Sequence, residues 1–310
     1  MMNVYRTPDS CFENLPDYDF EPHYLMIKDD NGTELRVHYV DEGPQDAEPI
    51  LLMHGNPAWV YLYRHMIPGL LTSGRRVIAV DLIGCGRSDK PAKQSDYTQA
   101  RHVAWMEKWL LALDLQNITL FCQDWGGVIG LNLVANHPER FDRVIAANTG
   151  LPSGKGGNRA LRMWQRIMKI IPLFPMRFAL KPAMQREDFS DAEFRAYLAP
   201  YPGRKYQAGI LSFTQLISVF PDNPGAQQNR VALEKLKQFD KPFLTLFGTR
   251  DPMSKGGEKV LQKYIPGAKG QNHKLIRGAG HFIQDDKPDE MVAETLLFLE
   301  VAGQEKRENE

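Results

Sequence analysis

One six-residue segment, Cys122-Gln123-Asp124-Trp125-Gly126-Gly127, constrains the fold of this chain more than any other. An apolar run typical of a β-strand precedes it at 118–121, and a run that we interpret as helical follows it at 128–133. A strand, a tight turn of small residues and a helix form a strand-to-helix elbow, which holds its central residue strained and exposed at the top of a sheet. That residue is ordinarily Ser in a G-x-S-x-G pattern, whereas here it is Asp124.

Strand-like and helix-like segments alternate through most of the chain. Two β-type runs, 24–27 and 35–40, flank Asn31-Gly32 and indicate a hairpin. Apolar runs, which are typical of strands covered on both faces, follow at 50–53, 77–80 and 118–121, and further strands are expected at 144–148, 242–247 and 273–276. Helices are expected at 59–71, at 99–113, from the elbow to about 136, and at 288–300. This order predicts an α/β fold with a mostly parallel eight-stranded sheet flanked by helices.

The alternation stops between residues 151 and 228. This stretch is rich in Pro and Gly, contains no run typical of a buried strand, and has amphipathic segments at 160–171, 191–197 and 206–219. It predicts a helical cap at 151–228, inserted into a core that comprises 1–150 and 229–310. Residues 303–310 are charged and are expected to fray.

Composition bounds the partners and the compartment. The 38 Lys and Arg residues equal the 38 Asp and Glu residues, so the zero net charge predicts neither a nucleic-acid partner nor a membrane partner. The chain begins without the apolar region of a secretory signal, and no apolar run reaches the ~20 residues of a membrane span. The three cysteines lack metal or disulfide spacing. We therefore expect a cytoplasmic protein without a metal or other cofactor, and a monomer rather than an oligomer.

Three residues with reactive side chains follow predicted strands in chain order, namely Asp124, Asp251 and His281. In an open α/β sheet, functional side chains lie just past the carboxyl ends of strands. Asp251 alone would be read as a turn residue, and His281 alone as a structural histidine. Together with an Asp on a strained elbow, they follow the order nucleophile, acid, histidine of a hydrolytic triad.

On these residues the chain resembles the α/β-hydrolases, and among them the haloalkane dehalogenases of the subfamily with an Asp-His-Asp triad and two halide-binding tryptophans. The matching stretches are His54-Gly55-Asn56-Pro57, Gly84-Cys85-Gly86-Arg87-Ser88, Gln123-Asp124-Trp125-Gly126-Gly127, Arg250-Asp251, Gly280-His281-Phe282 and Tyr197-Leu198-Ala199-Pro200-Tyr201-Pro202. The resemblance implies the α/β-hydrolase fold and hydrolysis of haloalkanes to alcohol, halide and a proton. A small apolar halogenated substrate and the halide product are the partners that it implies.

The resemblance also implies a two-step mechanism. A carboxylate is ionised at neutral pH, so Asp124 needs no base to attack the carbon that bears the halogen and form an alkyl ester. His281 would then activate the water that hydrolyses the ester, while Asp251 would orient the imidazole. The backbone N–H groups of Asn56 and Trp125 would form the oxyanion hole.

The departing halide calls for N–H donors, and Trp125 beside the nucleophile is the first candidate. The second donor is a cap tryptophan in one group of dehalogenases and the Asn of His-Gly-Asn-Pro in the others, so Trp164 and Asn56 are both candidates. The groups that use the Asn carry their acid after the strand that ends here in Asn148, an amide that cannot serve. Asp251 as the acid therefore favours Trp125 with Trp164, and Asn56 stays an additional candidate.

Two other functions compete with this interpretation. An epoxide hydrolase shares the Asp nucleophile and the His base and needs cap tyrosines, for which Tyr197, Tyr201 and Tyr206 are available. Gln123 before the nucleophile and Trp164 in the cap favour a dehalogenase. A binding protein that had lost activity is disfavoured by the intact triad. Candidates for the lining of an apolar substrate cavity are Phe174, Phe178, Phe213, Leu216, Val219 and Phe220.

Overall fold

The computed structural model describes residues 1–154, 159–171 and 173–309, without the side chains of 159–161, 164 and 302–309. Its main sheet has eight strands in the order β10-β9-β8-β7-β4-β5-β3-β2. These strands are β2 (His23–Lys28), β3 (Glu34–Glu42), β4 (Pro49–Met53), β5 (Arg76–Val80), β7 (Ile118–Gln123), β8 (Phe141–Ala147), β9 (Phe243–Gly248) and β10 (Lys274–Ile276). A separate antiparallel ladder joins β1 (Val4–Tyr5) to β6 (Lys90–Pro91).

The sheet is parallel except around β3, which pairs antiparallel with both β2 and β5. β2 and β3 form the predicted hairpin, and Gly32 has the positive φ of 86° that its turn requires. β4 and β7 are buried along their whole length, as expected for strands covered by helices on both faces. The predicted mostly parallel eight-stranded α/β fold is confirmed.

Eleven α-helices lie in the described part of the chain. They are α1 (Met66–Leu71), α2 (Gln99–Ala112), α3 (Asp124–Asn136), α4 (Arg159–Ile170), α5 (Met176–Ala183), α6 (Asp191–Leu198), α7 (Ala208–Leu216), α8 (Pro224–Leu236), α9 (Gly257–Tyr264), α10 (Ile283–Asp286) and α11 (Pro288–Asn309). The expected helix at 59–71 is instead a 3-10 turn (Val60–Tyr63) followed by α1. The last helix continues to Asn309, and the fraying expected from 303 stays a prediction.

Helices α4 to α7 lie between β8 and α8 in sequence, and the described residues of this segment form no strand. They contact loops of the core: the indole of Trp59 donates to the Ala196 carbonyl at 3.1 Å, and the His281 amide donates to the Ala183 carbonyl at 2.8 Å. The predicted end of the cap at residue 228 falls inside α8, a helix that packs against α3 of the core. The position of this boundary stays a prediction. No helix in the described part is long and apolar enough to cross a bilayer.

Candidate active site

Asp124 lies at the junction of β7 and α3 with a positive φ of 51°. A non-glycine residue rarely adopts this conformation, which costs about 1–2 kcal/mol and persists only where the surroundings enforce it. Two glycines make the junction possible. A Cβ on Gly126 would lie 2.1 Å from the Met53 carbonyl oxygen, and one on Gly55 would lie 2.3 Å from the Cβ of Asp124. The elbow predicted from the sequence is therefore a strained turn that the close approach of β4 and β7 enforces.

β4 and β7 are neighbours in the sheet, although β5 and β6 separate them in sequence. The direction of strand addition reverses between them, and such a switch point opens a crevice at the carboxyl ends of the strands. Asn56 follows β4 and faces Asp124 across this crevice. Its backbone N–H donates to Oδ1 of Asp124 at 2.8 Å. One carboxylate oxygen of Asp124 is thus held by a backbone donor, and the role of that donor in an oxyanion hole stays a prediction.

His281 lies between two carboxylates. Its Nδ1 is 3.0 Å from Oδ2 of Asp251, and its Nε2 is 3.4 Å from Oδ2 of Asp124. Burial lowers the pKa of His281, but the charge of Asp251 and the hydrogen bond to Asp124 outweigh it and raise the pKa well above its usual value. The structure therefore brings the three predicted triad residues together in the order Asp124, His281, Asp251.

Asp251 is buried and would by burial have a raised pKa, yet its pKa is lowered because His281 and the Ser254 hydroxyl both interact with the ionised form. The backbone N–H of Met253 donates to its Oδ1 at 2.9 Å. A carboxylate held on both oxygens cannot rotate away from the imidazole. Asp251 therefore stays ionised and fixes the proton of His281 on Nδ1, leaving Nε2 to face Asp124.

Trp125 is buried beside the elbow and packs on Phe213 with a centroid distance of 5.0 Å. Its indole N–H donates to no residue that the structure describes, and the side-chain amide of Asn56 likewise has no described partner. Trp164 belongs to α4, but its side chain lies outside the described residues. Two of the three predicted halide donors therefore lie beside Asp124. Trp125 is its neighbour in sequence, and the backbone of Asn56 donates a hydrogen bond to it.

Asn148 has a larger role in the site than the sequence suggested. Its buried amide donates to the carbonyl oxygens of Gly280 at 2.8 Å and His281 at 2.9 Å, and it accepts from the Gly248 N–H at 2.8 Å. Its own carbonyl accepts from the N–H of Asp124 at 3.3 Å. Asn148 thus joins the three loops that carry the triad. Its position directly after a strand was the available signal.

Gln123 is a second residue whose role the sequence left open. Its Nε2 lies 3.2 Å from Nε2 of His281 and 3.1 Å from the His281 carbonyl oxygen, and it is fully buried. The Gln123 amide N–H can donate to this ring nitrogen only when the imidazole is neutral, so the contact favours the neutral form. Gln123 and its neighbour Asp124 therefore both contact His281.

One cluster in the described part, His65, Glu193 and Asp285, has the spacing of metal ligands. Its carboxylates are already paired, because the buried guanidinium of Arg64 lies 2.7 Å from Glu193 and 3.0 Å from Asp285. Arg186 also pairs with Glu193. We interpret the cluster as a buried ion-pair network that joins α6 to the core.

The cap residues depart from two expectations. The hydroxyl of Tyr197 donates to Oδ2 of Asp285 at 2.6 Å, so it is committed to the ion-pair network rather than to a substrate. Phe178 and Phe220 are exposed, so they do not line an enclosed cavity as proposed from the sequence. Phe174, Phe213 and Val219 are buried.

Comparison with known proteins agrees with this geometry. The sequence profile of the α/β hydrolase fold matches residues 48–288. A haloalkane dehalogenase of Psychrobacter cryohalolentis is 52% identical over 299 residues, which cover 96% of this chain and 98% of that protein. One from Mycobacterium marinum is 44% identical over 297 residues, with 96% and 99% covered.

Among solved structures, the tetrameric haloalkane dehalogenase DpaA from Paraglaciecola agarilytica NO2 superposes with a TM-score of 0.86 at 33% identity. The match covers 95% of this chain and 97% of that one. Because that relative is a tetramer, the monomer expected for this chain stays a prediction. The similarity extends over the core and over the segment predicted as the cap.

Proposed function

The chain belongs to the haloalkane dehalogenases, enzymes of the α/β-hydrolase fold, and from this membership we propose which of its residues carry the reaction. The reaction is the hydrolysis of a carbon–halogen bond in a haloalkane to an alcohol, a halide and a proton. Asp124 is the nucleophile, His281 the general base and Asp251 the acid that orients it. The close relatives do not favour the epoxide hydrolase considered above.

In the first half-reaction Oδ2 of Asp124 attacks the carbon that bears the halogen. The C–O bond forms as the carbon–halogen bond breaks, and the bonding pair leaves with the halide. Oδ1 is already bound by the Asn56 N–H, so Oδ2, which faces His281 at 3.4 Å, is the attacking oxygen. Oδ1 then becomes the carbonyl oxygen of the ester, still facing a donor that stabilises the later oxyanion. One such donor is worth about 3–4 kcal/mol.

The departing halide is bound by the indole N–H of Trp125, with Trp164 as the second donor and Asn56 as an additional candidate. A donor without a protein partner loses no existing hydrogen bond when it binds the halide. The lack of a described partner for the Trp125 indole supports this assignment. In a site sheltered from water, such a donor acts on developing charge more strongly than it would in solution.

In the second half-reaction His281 removes a proton from water as the water oxygen bonds to the ester carbon of Asp124. The bond from that carbon to the alkyl oxygen then breaks, and the alcohol leaves with a proton from the imidazolium. Asp124 is restored as a carboxylate when its remaining proton is lost to solvent. The electrostatics support this order. Two flanking carboxylates raise the pKa of His281 in the free enzyme. Once Asp124 is an ester it carries no charge, so that part of the stabilisation of the imidazolium is lost. His281 therefore becomes an effective base when the ester is present.

The observation that carries this proposal is the alignment of Asp124, His281 and Asp251 at distances of 3.4 and 3.0 Å. A burst titration uses 1,2-dibromoethane in excess of enzyme. His281→Gln should release one bromide per active site and then stop, with the alkyl ester visible as a mass increase on the peptide that contains Asp124. Asp124→Ala should release none. Sustained turnover by either variant would contradict the assignment of Asp124 as the nucleophile and His281 as the general base.

A second test separates the halide donors. Trp125→Phe and Trp164→Phe should each lower the affinity for bromide, measured by quenching of the remaining tryptophan fluorescence, and slow the bromide burst. Asn56→Ala should change the burst less. Trp109→Phe is the matched control, since Trp109 is a buried core tryptophan that packs on Tyr39. An unchanged burst in Trp164→Phe together with a slowed burst in Asn56→Ala would reassign the second donor.

A further inference from the structure

The outer surface of α4, α5 and their connection is unusually apolar for a water-exposed surface. Its members are Met163, Ile167, Ile170, Leu173 and Phe178, which are each at least 41% exposed. Ile170 and Phe178 are 81% and 79% exposed, more than any other large apolar side chain of the described part except Met1. Exposed apolar residues are ordinary when single, but three of these lie on one stripe of α4, and such a group indicates a surface that contacts something other than water.

The same stretch is strongly basic. Residues 155–181 contain seven Lys and Arg and no Asp or Glu, so the remaining 283 residues carry 31 basic against 38 acidic residues, a net charge of −7. Four of the basic side chains, Arg162, Arg166, Lys169 and Lys181, are exposed and form no ion pair with any described residue. Arg177 alone among the described ones lies near a carboxylate, 3.9 Å from Asp191. The chain as a whole has zero net charge, but its positive charge is concentrated in residues 155–181.

Helical geometry places these two properties side by side. α4 has 12 residues and is about 18 Å long. Its inner side packs on α7, where Gln165 donates to the carbonyl oxygens of Thr214 and Ile217. Its outer side carries an apolar stripe at i, i+4, i+7 spacing, flanked by a basic one. The apolar stripe is Met163, Ile167 and Ile170, and the basic one is Arg162, Arg166 and Lys169.

We propose that this surface, which comprises the exposed side chains of residues 162–181 and is called here the basic cap face, docks on an anionic lipid bilayer. A helix with an exposed apolar stripe beside a basic flank lies in the plane of the membrane interface, with the apolar side chains below the headgroups and the cations among them. An anionic lipid surface would contact both the apolar stripe and the basic side chains. The expectation of no membrane partner rested on the net charge of the whole chain, which averages this region away.

A second copy of the chain fits the basic cap face less well. A symmetric dimer contact pairs each patch with itself, so cations would oppose cations across the interface without carboxylates to offset them. Lipid docking also suits the reaction, because small apolar haloalkanes partition into bilayers. Docking through the cap would bring the enzyme to the phase in which its substrate accumulates.

The test is sedimentation of the full-length protein with sucrose-loaded vesicles, either of phosphatidylcholine alone or with about one-third phosphatidylglycerol. The wild type should bind the anionic vesicles, less so at high salt, because screening shortens the range of the attraction. Each basic residue near an anionic surface contributes roughly fivefold to the partition coefficient. The variant R162Q/R166Q/K169Q/K181Q should therefore bind more than a hundredfold less, and I170S/F178S should also lose binding at low salt.

Two matched controls remove the same chemistry from other surfaces. K255Q/K259Q/K263Q/K269Q removes four exposed lysines outside the cap, and L275S removes an exposed apolar side chain of β10. Both should bind vesicles as the wild type does, and halide release from a water-soluble substrate should show that every variant is folded. Absence of binding by the wild type, or equal binding by the cap and control variants, would overturn the proposal. Concentration-dependent self-association that I170S/F178S abolishes, without lipid binding, would assign the basic cap face to contacts between copies instead.

Discussion

Replacing Asn148 by Ala should weaken both the fold and the second half-reaction. The buried carbonyl of Gly280 loses a 2.8 Å hydrogen bond, whereas the His281 carbonyl keeps the one from Gln123. A buried acceptor left unsatisfied costs about 1–3 kcal/mol, and the half-buried Gly248 N–H adds up to a similar amount. Ala tolerates the positive φ of 39° less well than Asn, which adds up to about 1 kcal/mol. The free energy of unfolding should therefore fall by about 1–7 kcal/mol, measured by urea denaturation.

The kinetic effect distinguishes positioning from general destabilisation. Because Asn148 holds the backbone of His281, and His281 acts only on the ester, Asn148→Ala should slow ester hydrolysis more than ester formation. Bromide release by Asn148→Ala should then show a burst of larger amplitude than that of the wild type. Asn148→Gly should show the same burst with a smaller loss of stability, since glycine tolerates the positive φ.

The control for Asn148 is Asn229→Ala, which removes another buried amide. Asn229 bonds to Gln99, to Asn132 and to the Pro152 carbonyl, and it touches none of the triad loops. It should lose stability without producing a burst. A loss of less than about 1 kcal/mol in Asn148→Ala, without a burst, would refute this role of Asn148. The same burst in Asn229→Ala would also refute it, because the kinetic effect would then follow stability alone.

Three further outcomes follow from the buried charges. Asp285→Asn should cost about 3–5 kcal/mol in urea unfolding, because it leaves the fully buried Arg64 with only one well-placed carboxylate, and Glu193→Gln should cost less. The raised folded-state pKa of His281 stabilises the fold below the unfolded pKa of about 6.5, and this contribution is lost as pH rises through the folded pKa. The wild type should therefore lose thermal stability toward alkaline pH, and His281→Gln should lack that decline. Gln123→Leu removes a donor to the neutral imidazole and should move the acidic limb of the kcat profile to higher pH.

Much of the core was predictable because the signals are local. Each buried strand is a short apolar run that ends at a turn, and parallel strands bring their carboxyl ends to one edge. Three reactive residues that each follow such a run were therefore bound to meet, whatever the details of packing. The elbow was equally legible, since a strand, small residues and a helix in immediate succession allow few backbone paths.

The rest depended on contacts between distant segments. Nothing near Asn148 in sequence indicates that its amide would bridge loops that lie about 100 and 130 residues away. The helix Met176–Ala183 was missed because Pro175 and Pro182 signal breaks, although Pro175 precedes the first turn and Pro182 lies at the penultimate position. The cluster of Arg64 with Glu193 and Asp285 joins three separate segments, and its residues are ordinary surface types when read singly.

The charges around His281 explain why an amide is suited to position 148. The proposed cycle needs an imidazole that both carboxylates stabilise as the imidazolium at rest and that loses one of them when Asp124 becomes an ester. Asp251 stays ionised throughout and alone supports the cation that forms during ester hydrolysis. A carboxylate in place of the Asn148 amide, 2.9 Å from the His281 carbonyl, would add a charge that alkylation does not remove. It would keep the histidine protonated when a base is required, so the acid at 251 and the amide at 148 are two parts of one electrostatic arrangement.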